Sequence, residues 1–188
     1  MNLALKSLVT FVAGTALGLL MTWAIVGRGM GGDVRDGPWR TSLLTGSAQS
    51  GLYLRASVAL HGLLALNRNE TIYYTAVTDS AGDTLRGDCS YTVAGRDPPS
   101  RWWSVTAYGP DDYLIPGSNR YSVTKNSVAH DRTGGFSASV SQKPQVADGI
   151  AVAPGPFSLT LRLYNPDPKV AADPAHVVLP VIRRERCP

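Results

Sequence analysis

Charge is absent from one stretch of this 188-residue chain: no Asp, Glu, Lys or Arg falls between Lys6 and Arg28. That gap excludes an ordinary surface helix, which needs a polar face. As a helix, Leu8 to Val26 rises ~1.5 Å per residue and crosses most of a ~30 Å hydrocarbon core. A good signal-peptidase site is missing too. The run ends in Ala24-Ile25-Val26-Gly27 and is longer than the usual signal core, which favours an uncleaved signal-anchor over a cleaved leader.

Catalytic signatures are also lacking. The chain has no Gly-x-Ser-x-Gly elbow, His-Glu-x-x-His helix, phosphate loop or Gly-x-Gly-x-x-Gly turn. Its three histidines, His61, His130 and His176, are expected on a helix, a loop and a Pro-rich return, with no metal-ligand spacing among them. No catalytic residue, metal or cofactor is therefore assigned. The formal charge is only +4, and the one basic cluster, Arg183, Arg184 and Arg186, reads as a solvated C-terminal tail, or more sharply as a contact for anionic lipid. Nucleic-acid binding finds no support in lysine runs, aromatic RNA motifs or zinc fingers.

Cysteine is scarce: only Cys89 and Cys187 are present. In an oxidising compartment they are candidates to pair, tying the C-terminus to a central strand. Spacing alone leaves that open.

Three parts follow from this reading: an anchor (1–27), a linker (28–46) and a folded part (47–188). Gly14 and Gly18 make a Gly-x-x-x-Gly pair suited to packing two anchors into a homodimer. Positive charge does not set the orientation, since Lys6 faces Arg28, Arg35 and Arg40 across the run. An exported domain behind a single N-terminal anchor is the common arrangement. It places a single-pass protein in a bacterial inner membrane with its head in the periplasm.

In the folded part, Leu52, Ala56, Leu60 and Leu63 recur at helical spacing and predict an amphipathic helix over 47–66. Beyond Glu70 the period becomes two. Thr71 to Thr78 and Cys89 to Ala94 read as a hairpin around Asp79-Ser80-Ala81-Gly82. Further strands are expected at Trp102 to Tyr108, Tyr121 to Thr124, Phe136 to Ser141, Ile150 to Ala153, Phe157 to Tyr164 and near Val181. The predicted fold class is mainly β: an antiparallel jelly-roll-like sandwich with one preceding amphipathic helix and an N-terminal transmembrane helix.

Alternation also yields the site candidate. Trp102, Ser104, Thr106 and Tyr108 share one face of their strand; Ser158, Thr160, Arg162 and Tyr164 share one face of theirs. On a common sheet surface they would make an aromatic, hydroxyl-rich wall around one arginine. Such a wall suits a protein or carbohydrate partner, and Arg162 suits a carboxylate or phosphate. The expected binding residues are Trp102, Ser104, Thr106, Tyr108, Asp112, Arg162 and Tyr164. A plainer reading pairs Arg162 with an acid such as Asp112 and gives Asp111 and Asp112 only a turn role.

The ordered runs Arg101-Trp102-Trp103-Ser104-Val105-Thr106-Ala107-Tyr108, Leu114-Ile115-Pro116, Asn119-Arg120-Tyr121-Ser122 and Pro154-Gly155-Pro156-Phe157 resemble domain-of-unknown-function 1214. So does Leu159-Thr160-Leu161-Arg162-Leu163-Tyr164-Asn165-Pro166-Asp167-Pro168, and together they cover roughly Glu70 to Ile182. The resemblance implies a jelly-roll-like domain that often follows a sister module, domain-of-unknown-function 1254, in one longer chain. This chain lacks room for that module, so it looks like a stand-alone form whose sister would be a separate protein. The family carries no agreed catalytic residues. The expected function is thus a membrane-anchored periplasmic binding or assembly module, paired with a sister jelly-roll protein. The alternative is a periplasmic enzyme acting on envelope glycan or lipid.

Overall fold

The computed structural model describes residues 2–26, 34–61, 65–115, 119–144, 146 and 148–187. Helix α1 (Leu3–Val26) contains the whole uncharged run and begins earlier than expected. Asn2 Oδ1 accepts the Leu5 amide at 3.0 Å, capping the first turn ahead of Lys6. Its 24 residues reach about 36 Å, long enough to cross a membrane. Nearly all of α1 is exposed; only Val26, at its C-terminal end, is buried. Gly14 and Gly18 face open space.

The remaining strands form two sheets. In chain order they are β1 (Val34–Asp36), β2 (Trp39–Thr41), β3 (Thr71–Ala76), β4 (Ser90–Arg96), β5 (Ser100–Tyr108), β6 (Ser122–Thr124), β7 (Gly135–Ser141), β8 (Gly149–Ala151), β9 (Ser158–Pro166) and β10 (Val181–Arg186). The larger sheet runs β1-β2-β3-β9-β5-β6 and the smaller β10-β4-β7-β8. All pairs are antiparallel except β7–β8, which is parallel, so the smaller sheet is mixed. One core lies between the sheets. Ile72, Trp103, Val105, Leu159, Leu161 and Leu163 come from the first, Val93, Phe136, Ala138, Ile150 and Ile182 from the second. Trp103 and Phe136 meet across it with ring centroids 4.5 Å apart.

Four differences from the sequence reading have physical causes. Residues 34–41, expected within the linker, form β1 and β2 around the tight turn Gly37-Pro38, where Gly37 takes a φ of +56°. Residues 28–33 of that linker, and Gly27 before it, lie outside the described residues.

The second difference is the expected hairpin of β3 and β4, which does not form: β3 pairs with β2 and β9, whereas β4 pairs with β10 and β7. The turn itself is real, since the Asp79 carboxylate accepts the amides of Ala81 and Asp83. Its outgoing arm pairs with the incoming one at the Thr78–Thr84 bridge, meets Pro156 through Arg86, and crosses to the other sheet past buried Leu85.

Third, the helix expected over 47–66 is α2 (Leu52–Leu60). Ser47 Oγ accepts the Gln49 amide and Ser50 Oγ donates to the Leu44 carbonyl, so local bonds replace the first helical turn. Leu63 and Leu64 lie outside the described residues. The stripe is also inverted: Leu52 and Leu60 are 83% and 74% exposed, while Ser57 is buried and Leu54, Val58 and His61 are half-buried.

Fourth, the arginine cluster is no free tail. Arg183, Arg184 and Arg186 lie on β10, and Arg184 pairs with Asp83 and Asp79. The return before it holds the short helix α3 (Pro168–Ala172).

The two layers are tied at the β4–β5 corner by Asp97. One oxygen accepts the Nε1–H of fully buried Trp103 at 2.9 Å and the Nε2–H of His130 at 2.9 Å, with Lys125 Nζ 3.7 Å from the other oxygen. Partial burial opposes ionisation of Asp97, but these bonds win and hold its carboxyl below the ordinary carboxylate range. A group depressed in this way adds stability above its unfolded pKa of about 3.9, and that stability is lost as pH falls through the folded value. Asp97→Asn is therefore expected to cost about 1–3 kcal/mol at neutral pH. In urea melts the gap from wild type should begin to narrow as the pH falls below about 4 and close only beneath the depressed folded value, where Asp97 is protonated in the native protein as well.

Candidate functional site

The register joins the two predicted polar faces. On the outer side of the larger sheet, Trp102 lies opposite Tyr164, Ser104 opposite Arg162, Thr106 opposite Thr160 and Tyr108 opposite Ser158. Strand β3 extends this surface with Thr71 beside Tyr164, Tyr73 beside Arg162 and Thr75 beside Thr160. The apolar residues between them all point into the core, so strict alternation on three neighbouring strands builds the wall. Trp102 and Tyr164 stack obliquely with centroids 5.1 Å apart.

Arg162 is the central group. It leans along its strand past the Thr106–Thr160 tier, and its Nη2 donates to Tyr108 Oη at 2.7 Å. The guanidinium carbon lies 5.4 Å from the Tyr108 ring centroid and 5.8 Å from that of Tyr73. Tyr73 is itself fixed, since its hydroxyl accepts the Leu66 amide at 3.1 Å. Sequence reasoning missed Tyr73, although Thr71, Tyr73 and Thr75 alternate as the other two strands do.

Asp112 does not pair with Arg162. It lies in the β5–β6 loop, and its Oδ2 is 3.4 Å from His61 Nε2 at the C-terminal end of α2. Its φ of +63° is left-handed, a conformation that Asp tolerates. Partial burial pushes its carboxyl up; His61 opposes the shift and the like charge of Asp111 adds to it. Asp111 serves the turn, accepting the Tyr113 amide at 3.2 Å. The histidines stay apart, each with its own aspartate: His61 with Asp112, His130 with Asp97 and His176 with Asp173. Among the described residues no acidic side chain pairs with Arg162, and no group of three or more metal-ligating side chains converges.

On the opposite layer, a disulfide joins Cys89, just before β4, to Cys187, just after β10. Beside it lies an open groove of about 740 Å³, bordered by Asp88, Ser90, Thr92, Gln142 and Lys143. Its lining has mixed charge, with Asp88 and Glu185 beside Lys143 and Arg186.

Comparison with curated proteins finds no match. Among solved structures, the VPA0106 protein from Vibrio parahaemolyticus superposes with a TM-score of 0.63 at 21% identity, over 99% of this chain and 47% of that one. A putative uncharacterized protein from Burkholderia cenocepacia gives a TM-score of 0.47 at 15% identity, over 88% of this chain and 39% of that one. The chain thus spans less than half the length of either. The first similarity is one of fold. The family described as Protein of unknown function (DUF1214) matches residues 70–168, from the turn before β3 to the start of α3, and it is to this family that the chain belongs.

Proposed function

We propose that the chain is a membrane-anchored binding module of the bacterial envelope. In this reading α1 spans the inner membrane, the β domain lies in the periplasm, and the Arg162 wall receives a carboxylate or phosphate of a separate partner protein. The observation that carries it is Arg162 itself. This cation is half-buried, is held between Tyr73 and Tyr108, and has no acid paired with it among the described residues. A guanidinium pre-set by aromatic neighbours, with N–H donors to spare, is suited to a two-point bond with an oxyanion. The joined Cys89 and Cys187 fit an oxidising compartment.

Tagged full-length chain, extracted in mild detergent, tests this reading. It should co-elute with one partner of defined mass, and Arg162→Gln should weaken retention about tenfold, the effect of losing ~1.4 kcal/mol from a charged hydrogen bond. A lone monomer from both wild type and variant would count against the module. A complex of twice the chain mass would point instead to a homodimer through Gly14 and Gly18. The enzyme reading draws on the Asp112–His61 pair, a carboxyl with a raised pKa beside an imidazole. Asp112→Asn should leave partner retention unchanged if binding through Arg162 is the function.

A further inference from the structure

Helix α2 is built inside out. Its inward side carries Ser57 and His61 beside Leu54 and Val58, while Leu52, Tyr53, Ala56, Ala59 and Leu60 all face outward. At 100° per residue those five positions occupy one continuous face. An outward apolar face of this kind is the mark of an interaction surface.

Its place in the fold identifies the neighbour. Helix α2 packs against α1, and burial on α1 is confined to the end where the helix leaves the apolar run, at Ala24 and Val26. That end is where a spanning helix meets the headgroups. The His61–Asp112 pair also brings the β5–β6 loop, with exposed Tyr113 and Leu114, to the C-terminal end of α2. Tyr53 and Tyr113 are amphipathic residues that favour the membrane–water boundary, and Arg55 lies on the flank of the apolar face, where its charge can reach headgroups.

From this juxtaposition we infer that α2 is an interfacial helix: its Leu52–Leu60 face lies in the headgroup–acyl boundary of the bilayer that α1 spans. Such helices sink their apolar side about 5–10 Å into the boundary. Two attachments, one spanning and one lying flat, hold the domain at a set tilt rather than letting it swing on a single stalk. Facing α2 toward the lipid sets the direction in which the Arg162 wall is presented.

The inference rests on the anchored reading of α1, and the test separates the two. Full-length chain carries one nitroxide label, at Leu17→Cys, Leu52→Cys, Leu60→Cys or Val178→Cys, all exposed positions, while Cys89 and Cys187 stay paired. It is reconstituted into phosphatidylcholine–phosphatidylglycerol vesicles, and collisions with oxygen and with a water-soluble nickel chelate are measured by electron paramagnetic resonance. Labels at 52 and 60 should show an oxygen-to-nickel ratio severalfold above that at 178 and below that at 17. If 52 and 60 match 178, the helix faces water and the inference falls. If they are shielded from both reagents, a protein covers the face and it falls as well. A label at 17 open to nickel would remove the anchor and this proposal together.

Discussion

Replacing Cys89 and Cys187 together with alanine is expected to cost about 4–5 kcal/mol, the loop entropy released when a bridge closing about 100 residues is removed. The separation of 98 residues puts this bridge near the top of the range for a single cross-link. For a domain of this size, such a loss is a large fraction of the total stability. The location adds a second expectation. The bridge closes the edge of the smaller sheet where Ser90 pairs with Arg186, so it clamps the final strand, which contributes buried Ile182 to the core. Amides of β10 should therefore exchange with solvent first in the variant, ahead of those in β5 and β9. Wild-type protein treated with reductant should reproduce both effects. Urea melts in which reduced and oxidised chains coincide would show that β10 is held without the bridge, by its ladder, its bonds to Ser80 and the Arg184–Asp83 pair.

How much of this was legible beforehand depends on where the deciding interaction lies. The strands β5 and β9 could be read to within two residues at each end, because each alternates cleanly and both have one face in a continuous core. From that alternation the wall of Trp102, Ser104, Thr106, Tyr108, Arg162 and Tyr164 was also legible. The pairing that makes it one surface was not, since register is a property of two strands. Asp79 announced a turn correctly, yet turn chemistry is local. The following segment instead buries Leu85 in the core, a long-range contact that no turn motif displays. At α2 helical periodicity marks an apolar face without saying what meets it, and there Leu52 and Leu60 are exposed while Ser57 is buried. Asp112 was placed at Arg162 on charge alone, whereas the fold sets His61 beside it.

The three-residue strands β1 and β2 were illegible for a plainer reason: three residues cannot display a period, and the residue that fixes them finds its partner 141 positions away. Trp39 is 1% exposed, lies in register with Ala76 of β3, and donates its Nε1–H to the Pro180 carbonyl at 2.7 Å. Trp39→Ala should destabilise the domain by about 3–5 kcal/mol, as expected for deleting a buried indole and leaving a cavity. Trp39→Phe retains most of the apolar contact and loses the bond, so about 1–2 kcal/mol is expected, much of it from the unpaired Pro180 carbonyl. A passive linker would tolerate either change within about 0.5 kcal/mol, and urea melts of the two variants distinguish the cases. Pro180 immediately precedes β10, so Trp39 holds the strand at one end and the disulfide at the other. Losses at two clamps on one strand should not add. Once the bridge is gone and β10 frays, less remains for Trp39 to hold, so Trp39→Ala should cost less in the Cys89→Ala, Cys187→Ala background than in wild type. Full additivity would mean that the N-terminal hairpin and the C-terminal strand are stabilised independently.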